Sequence, residues 1–219
     1  MNKMIRFTVA TLLVLFILLT VTVHLRLWQA FDWETLTALQ NAIPRWTDVL
    51  FSVLTLLGSA EITGLIILAL VVFAPSAQRL PLILTFGLAA LIELLGKTFI
   101  DQPITPHDLV RYIPLLPILI FSAKVNPEFS YPSGHATRTT FIMLILASMI
   151  SASRWRRSTK RALYLALFLI EIVMLISRVY LAEHWTTDMI GGTILGIVFA
   201  LIALRWKIPL PKFLERKPF

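Results

Sequence analysis

The sequence predicts an all-α polytopic membrane protein built as a bundle of six transmembrane helices. Three observations carry that prediction. The 219 residues are 58% hydrophobic and only 15% charged, where soluble domains carry about 25%. Mean hydropathy is +0.82. Apolar runs of roughly 20 residues, the length that crosses a bilayer, recur along almost the whole chain.

The runs are taken in order as residues 7–23, 49–73, 80–100, 134–152, 161–180 and 187–204. Lys3 and Arg6 precede the first run, as in a secretory signal. The run is long for a signal, however, and no small-x-small cleavage site follows it, so a retained span is expected. The second and third runs meet at a short turn carrying Arg79. The longest connection, 101–133, holds Pro103, Pro106, Pro114, Pro117, Pro127 and Pro132, which favours an extended path. Within it, 113–121 is apolar but too short to span, so it reads either as an interfacial or re-entrant piece or as a loop packed on the bundle. The last two runs follow without long loops. Few residues remain for a separate soluble domain, so 1–219 reads as one membrane domain.

Lysine and arginine placement orients the bundle. Lys3, Arg6, Arg79, Arg154, Arg156, Arg157, Lys160, Arg161, Arg205, Lys207, Lys212, Arg216 and Lys217 all fall on one side, thirteen of the twenty basic residues. The positive-inside rule makes that side cytoplasmic, with both termini on it. The net charge of +8 is then a property of loops against anionic headgroups. No separate basic domain exists to bind nucleic acid, and the sequence leaves oligomeric state open. No cysteine is present, which excludes disulfides and thiolate metal ligands. Trp28, Trp33 and Trp46 outside, with Trp155 and Trp206 inside, read as interfacial anchors.

Two polar clusters lie on the outer side. Pro132-Ser133-Gly134-His135 opens the fourth run. A helix start presents free N–H groups to an anion. Gly134 permits close approach, Ser133 adds a hydroxyl, and His135 can protonate a leaving oxygen. The competing reading is a helix cap with a surface histidine. The second cluster is Ser177-Arg178, then His184 and Asp188. Arg178 can clamp phosphate oxygens. His184 and Asp188 are four apart, a spacing that stacks them on one face if the segment is helical. A carboxylate on one imidazole nitrogen leaves the other free to attack. The competing reading is an ordinary salt pair.

On these residues the chain resembles the type 2 phosphatidic acid phosphatase superfamily, which also contains the vanadium haloperoxidases. Its second signature, Pro-Ser-Gly-His, is matched in full at 132–135. Its third, Ser-Arg, five residues, His, three residues, Asp, is matched at Ser177, Arg178, His184 and Asp188. The resemblance implies that His184 is the nucleophile forming phosphohistidine and that Asp188 orients it. His135 becomes the general acid, while Arg178, Ser133 and Gly134 bind phosphoryl oxygens. No metal or other cofactor is implied.

The first signature, Lys, six residues, then Arg-Pro, is where the chain departs. Lys97 fits, but the Arg-Pro positions hold Ile104 and Thr105, and an arginine often found two residues earlier is Gln102. Arg138, three residues past His135, and Arg111, in the long connection, are the expected substitutes, with His107 a weaker third. Each also reads as a headgroup-facing surface charge. Glu93 lies one turn before Lys97 and can pair with it, while Glu61 and Glu171 within apolar runs are expected to be structural.

The implied function is a membrane lipid phosphatase acting on a lipid phosphate or diphosphate. Isoprenyl diphosphate, phosphatidylglycerol phosphate, phosphatidic acid and lipid A types all remain open. A phosphotransferase would use the same phosphohistidine with a lipid acceptor in place of water. A non-catalytic lipid-phosphate carrier would bind without turnover. A vanadate-dependent oxidase is disfavoured by the membrane body. The expected location is a bacterial inner (plasma) membrane with the active site on the outer, periplasmic side.

Overall fold

The computed structural model describes residues 3–113 and 129–208. Eight α-helices run in chain order: α1 (Lys3–His24), α2 (Gln29–Ala42), α3 (Asp48–Thr55), α4 (Ala60–Phe73), α5 (Ser76–Phe99), α6 (Gly134–Ala152), α7 (Arg157–Tyr180) and α8 (Thr186–Arg205). Among the described residues there is no strand. Five helices, α1, α5, α6, α7 and α8, are long and apolar enough to cross a membrane. The expected second span is broken. Its residues divide between α3 and α4, bent by 45° at Gly58-Ser59, so the count is six only if the bent pair is one crossing. Beyond Ile113, the apolar stretch 113–121 lies outside the described residues.

The break follows from local chemistry. Ser59 turns to extended backbone, and its hydroxyl accepts from Ile62 N at 3.3 Å, capping α4. That cap needs a helix start, so the ladder from α3 stops at Gly58. α2 is a second departure from the sequence reading, which left residues 29–42 as a connection. It carries Trp33 and Glu34 on its exposed side and buries Asp32, Leu36 and Gln40.

α8 is the axis of the bundle. Of its most apolar 18 residues 61% are buried, against 6% for α1, whose sides face outward. α6 and α8 make the most extensive helix contact. Small residues allow it. A Cβ on Gly192 would stand 2.3 Å from Ser133 O, and one on Gly196 2.6 Å from Thr137 O. Backbones this close are the mark of helices that associate by packing rather than by hydrophobic exclusion. Phe141, Ile142, Ile145, Leu195, Val198 and Phe199 fill the interior along this seam.

Polar side chains buried between the helices bond across them. Glu171 of α7 accepts from Thr139 Oγ1 at 3.2 Å and Thr140 Oγ1 at 2.5 Å on α6, the structural role expected of it. At the basic end, Ile208 N donates to Ala77 O at 3.0 Å and ties the end of α8 to the start of α5. At the other end the two polar clusters meet.

Gly196→Ala is expected to lower stability by about 1–3 kcal/mol, because the new methyl meets backbone rather than a flexible side chain. Gly87→Ala, with no atom within 4 Å of the added methyl, is the control and should leave the transition in place. Thermal unfolding of the purified protein in detergent measures both.

Candidate active site

The site is built where α5, α6, α7 and α8 end on one side of the bundle. Ser133 caps α6, its hydroxyl accepting from Ala136 N at 3.4 Å. Ser133 N donates to Asp188 O at 3.0 Å, so the backbone itself joins the two sequence clusters. His135 and His184 face each other with ring centroids 6.3 Å apart. Gly58 packs on His135, since a Cβ there would be 2.7 Å from His135 Cδ2.

His184 and Asp188 meet as expected, with Nδ1 to Oδ2 at 3.2 Å, but not on one face of a helix. His184 lies in the turn after α7, and Asp188 is the third residue of α8. The carboxylate is drawn to the free N–H groups of the helix start, where Oδ2 also accepts from Trp185 N at 3.0 Å. One oxygen thus fixes both the turn and the imidazole. His184 is 7% exposed and Asp188 0%. Burial, and then the positive charges of Arg178, Lys97 and Arg138, hold the His184 imidazole well below its ordinary value of 6.5. Burial thus favours the uncharged ring, and Nε2 is free of the carboxylate.

Three cations surround the histidines. Lys97 Nζ donates to Glu93 Oε1 at 2.8 Å, the pairing expected at this spacing. Arg138 Nη1 donates to Glu93 Oε2 at 2.9 Å, and its Nε and Nη2 donate to Gly58 O at 3.2 and 3.1 Å. Arg178, 5% exposed, is ion-paired through Nη1 with Glu183. Its Nε is buried without a hydrogen-bond partner, as is Asp188 Oδ1. Gly134 sits against Glu93, whose carboxylate would overlap a Cβ there, so any side chain at this position would have to displace Glu93 from Lys97 and Arg138.

Arg111 is placed elsewhere. Its Nη1 donates to Gln40 O and to Tyr180 Oη, both at 3.1 Å, and its guanidinium lies 5.1 Å over the Tyr180 ring. It fastens the long connection to α2 and α7. His107 is in a short 3-10 turn of the same connection. Ile104 is 48% exposed, whereas Thr105 is buried and bonded to Ala182 O.

Sequence reasoning missed three contributors. Asp32 of α2 accepts from Thr187 N at 2.9 Å, from Thr187 Oγ1 at 2.7 Å and from Gln102 Nε2 at 3.1 Å, which anchors the start of α8. Its carboxyl is raised by burial against those bonds. Gln102 therefore has a structural partner of its own. Glu183 and the carbonyl of Gly58 are the other two. A carboxylate beside the motif histidine and a Gly-Ser interruption in an apolar run were the available signals. Next to Trp185, a cavity of about 570 Å³ opens between α2 and the connection, lined by Ala30, Trp33, Pro103, Ile104 and Pro106 among others.

Comparison with known proteins places this geometry. The sequence profile of the PAP2 superfamily matches residues 78–210, a stretch that contains Lys97 and both motifs. Phosphatidylglycerophosphatase B of Bacillus subtilis is 22% identical over 211 residues, 94% of this chain and 98% of that protein. A putative phosphatidate phosphatase of Drosophila melanogaster is 31% identical over 103 residues, 45% of this chain and 27% of that one. Two crystal structures share the fold. A transmembrane PAP2 type phosphatidylglycerolphosphate phosphatase from Bacillus subtilis matches with a TM-score of 0.70 at 23% identity, over 90% of this chain and 94% of that one. LpxE of Aquifex aeolicus matches with a TM-score of 0.57 at 25% identity, over 80% of this chain and 94% of that one. The apolar helices and the profile match agree: this chain is an integral membrane protein and belongs to the PAP2 superfamily.

Proposed function

We propose that the chain is a membrane lipid phosphatase that cleaves a phosphate or diphosphate ester through a phosphohistidine on His184. The observation that carries this is the buried His184, oriented by Asp188 and facing His135, with Lys97, Arg138 and Arg178 at the same end of the bundle. His184 Nε2 attacks phosphorus while the bond from phosphorus to the leaving oxygen breaks. His135 gives its proton to that oxygen. Water then attacks the phosphohistidine, the P–N bond breaks, and His135 takes the proton from water. Lys97, Arg138 and Arg178 hold the equatorial oxygens as charge spreads over them, with Ser133 and Gly134 at the helix start. Arg138 takes the place of the arginine absent at Ile104, because it shares Glu93 with Lys97, whereas Arg111 is bonded to Gln40 O and Tyr180 Oη. A lipid substrate fits a site at the end of a membrane bundle, and the apolar cavity beside Trp185 gives its non-phosphate part a place. The names of the relatives favour a phosphatidylglycerol phosphate, phosphatidic acid or lipid A type of substrate.

We further read the bent pair as one crossing, giving six crossings with both termini cytoplasmic and the site on the outer, periplasmic face. The chain carries no cysteine, so single cysteines report this directly. Ser158→Cys in α7 should react with a membrane-impermeant maleimide only after cells are opened. Glu34→Cys in α2 should react in intact cells. The reverse pattern would turn the bundle over.

His184→Ala should abolish phosphate release from lipid phosphates offered to the purified protein; a variant keeping near-normal rates removes His184 as nucleophile. Arg138→Ala should lower kcat/KM by about 10²–10³, the range for losing one fixed donor to a charged transition state. Arg111→Ala should cost only a few-fold. Because the folded imidazole is held below 6.5, His184 stays neutral as pH falls through that value. The acid limb of kcat/KM, which reports the free enzyme, should therefore lie below pH 6.5, and a limb above it would contradict the buried histidine.

A further inference from the structure

Nothing in the proposed reaction uses Glu183, yet its carboxylate holds Arg178. Three features bear on what it does there. The contact is single, one guanidinium nitrogen on one oxygen, while Arg178 Nε is buried with no hydrogen-bond partner. A phosphate group offers more oxygens and matches the two-pronged guanidinium edge better than this carboxylate does. The backbone of Glu183 is fixed, its N–H donating to Arg178 O at 3.1 Å and Leu181 N to Ser177 O at 2.8 Å, so only the side chain is left to move. Burial pushes the Glu183 carboxyl above the usual range, against the pull of Arg178. The groups facing it are Arg178 from α7 and Tyr112 from the long connection, and Arg138 of α6 acts on Arg178 in turn.

We infer that Glu183 is a positioning residue acting through Arg178: it is the counter-ion of Arg178 between turnovers, and an incoming phosphate group displaces it. This rests on the reading of Arg178 as a phosphate clamp. The pairing keeps a buried guanidinium from standing uncompensated between turnovers. It also makes the carboxylate a competitor for the same cation, which favours release of phosphate after hydrolysis. Once displaced, Glu183 loses its cation and gains an anion beside it. Its pKa rises again, so phosphate binding takes up a proton there. Affinity for phosphate then strengthens as pH falls, because the bound state holds more protons than the free one.

Calorimetric binding of inorganic phosphate to the purified full-length protein in detergent tests this without turnover. Glu183→Gln should bind phosphate about tenfold more tightly than wild type at pH 7.5, since a neutral amide competes for Arg178 with roughly half the strength of a carboxylate. The gap should close towards pH 5. Equal or weaker binding by a folded Glu183→Gln protein, or a gap that ignores pH, overturns the inference. Wild type alone gives a second reading that needs no variant. Binding measured in two buffers of different ionisation enthalpy should show proton uptake beyond that of phosphate itself, and none would overturn it. A protein that shows this pattern but hydrolyses no lipid phosphate would sink the phosphatase reading and leave Glu183 in its role. Turnover that dies in His184→Ala, with no tightening in Glu183→Gln, would do the reverse.

Discussion

Asp188 is the group on which the site depends. Its backbone oxygen takes the N–H of Ser133, and its side-chain Oδ2 takes both His184 Nδ1 and Trp185 N. One residue therefore sets the start of α6 against the start of α8, closes the turn after α7 and orients the imidazole. The two sequence clusters are some 40 residues apart, yet through this residue they form one unit. A carboxylate with 0% exposure is costly unless its oxygens are bonded. The free N–H of a helix start and the imidazole offset that cost on one oxygen. Oδ1 has no protein partner. The glycine seam between α6 and α8 makes the geometry reachable, because a methyl on Gly192 would push Ser133 O, and with it the whole cap, away from α8.

Around that unit the charges are compensated in place. Glu93 bridges Lys97 and Arg138, and Glu183 holds Arg178. Isolated cations at the end of an apolar bundle would be expensive, and they persist in membranes mostly where they pair or face a cavity. The arrangement has a consequence for binding. An anion entering this site meets cations that already have partners, so its net gain is the difference between two sets of charge-assisted bonds. Affinity is given up, and the site is kept from standing as a bare positive pocket against anionic headgroups. Glu93 differs from Glu183 in one respect. It touches two cations and lies packed on Gly134, so it behaves as part of the frame, whereas Glu183 holds one cation by one bond.

The sequence was most legible where chemistry needs fixed residue types at fixed spacing. Ser133, His135, Arg178, His184 and Asp188 were all named from their pattern, and the structure brings them together. The apolar runs were legible for the same reason, since a bilayer demands length and composition. What stayed hidden depends on three-dimensional partners. α2 buries Asp32 and Gln40 beside Leu36 and exposes Phe31 and Trp33, so no apolar stripe marks it in the sequence. The reason for Asp32 appears only when Thr187 N, 155 residues away, is placed beside it. The break at Gly58-Ser59 lies inside a run that composition reads as one span. The i, i+4 spacing of His184 and Asp188 pointed to the right contact for the wrong reason, because the same separation brackets a helix cap.

On the proposed reading, the departure at Ile104 is a charge relocated without redrawing the fold. The position lies on the connection after α5, and its side chain is half exposed beside the cavity next to Trp185. A guanidinium there would reach the site from outside, over a loop. Arg138 reaches it from inside α6, one turn beyond His135, with Nε and Nη2 fixed on the carbonyl that the helix break leaves free at Gly58. That carbonyl is available because Ser59 stops the ladder, so the bend in the α3–α4 pair is what gives Arg138 its fixed position. A donor held on a helix by two carbonyl bonds and a carboxylate needs less ordering when charge develops than one carried on a connection. The loop position is then free to take an apolar residue, and Ile104 lines the cavity where the lipid part of the substrate is proposed to lie.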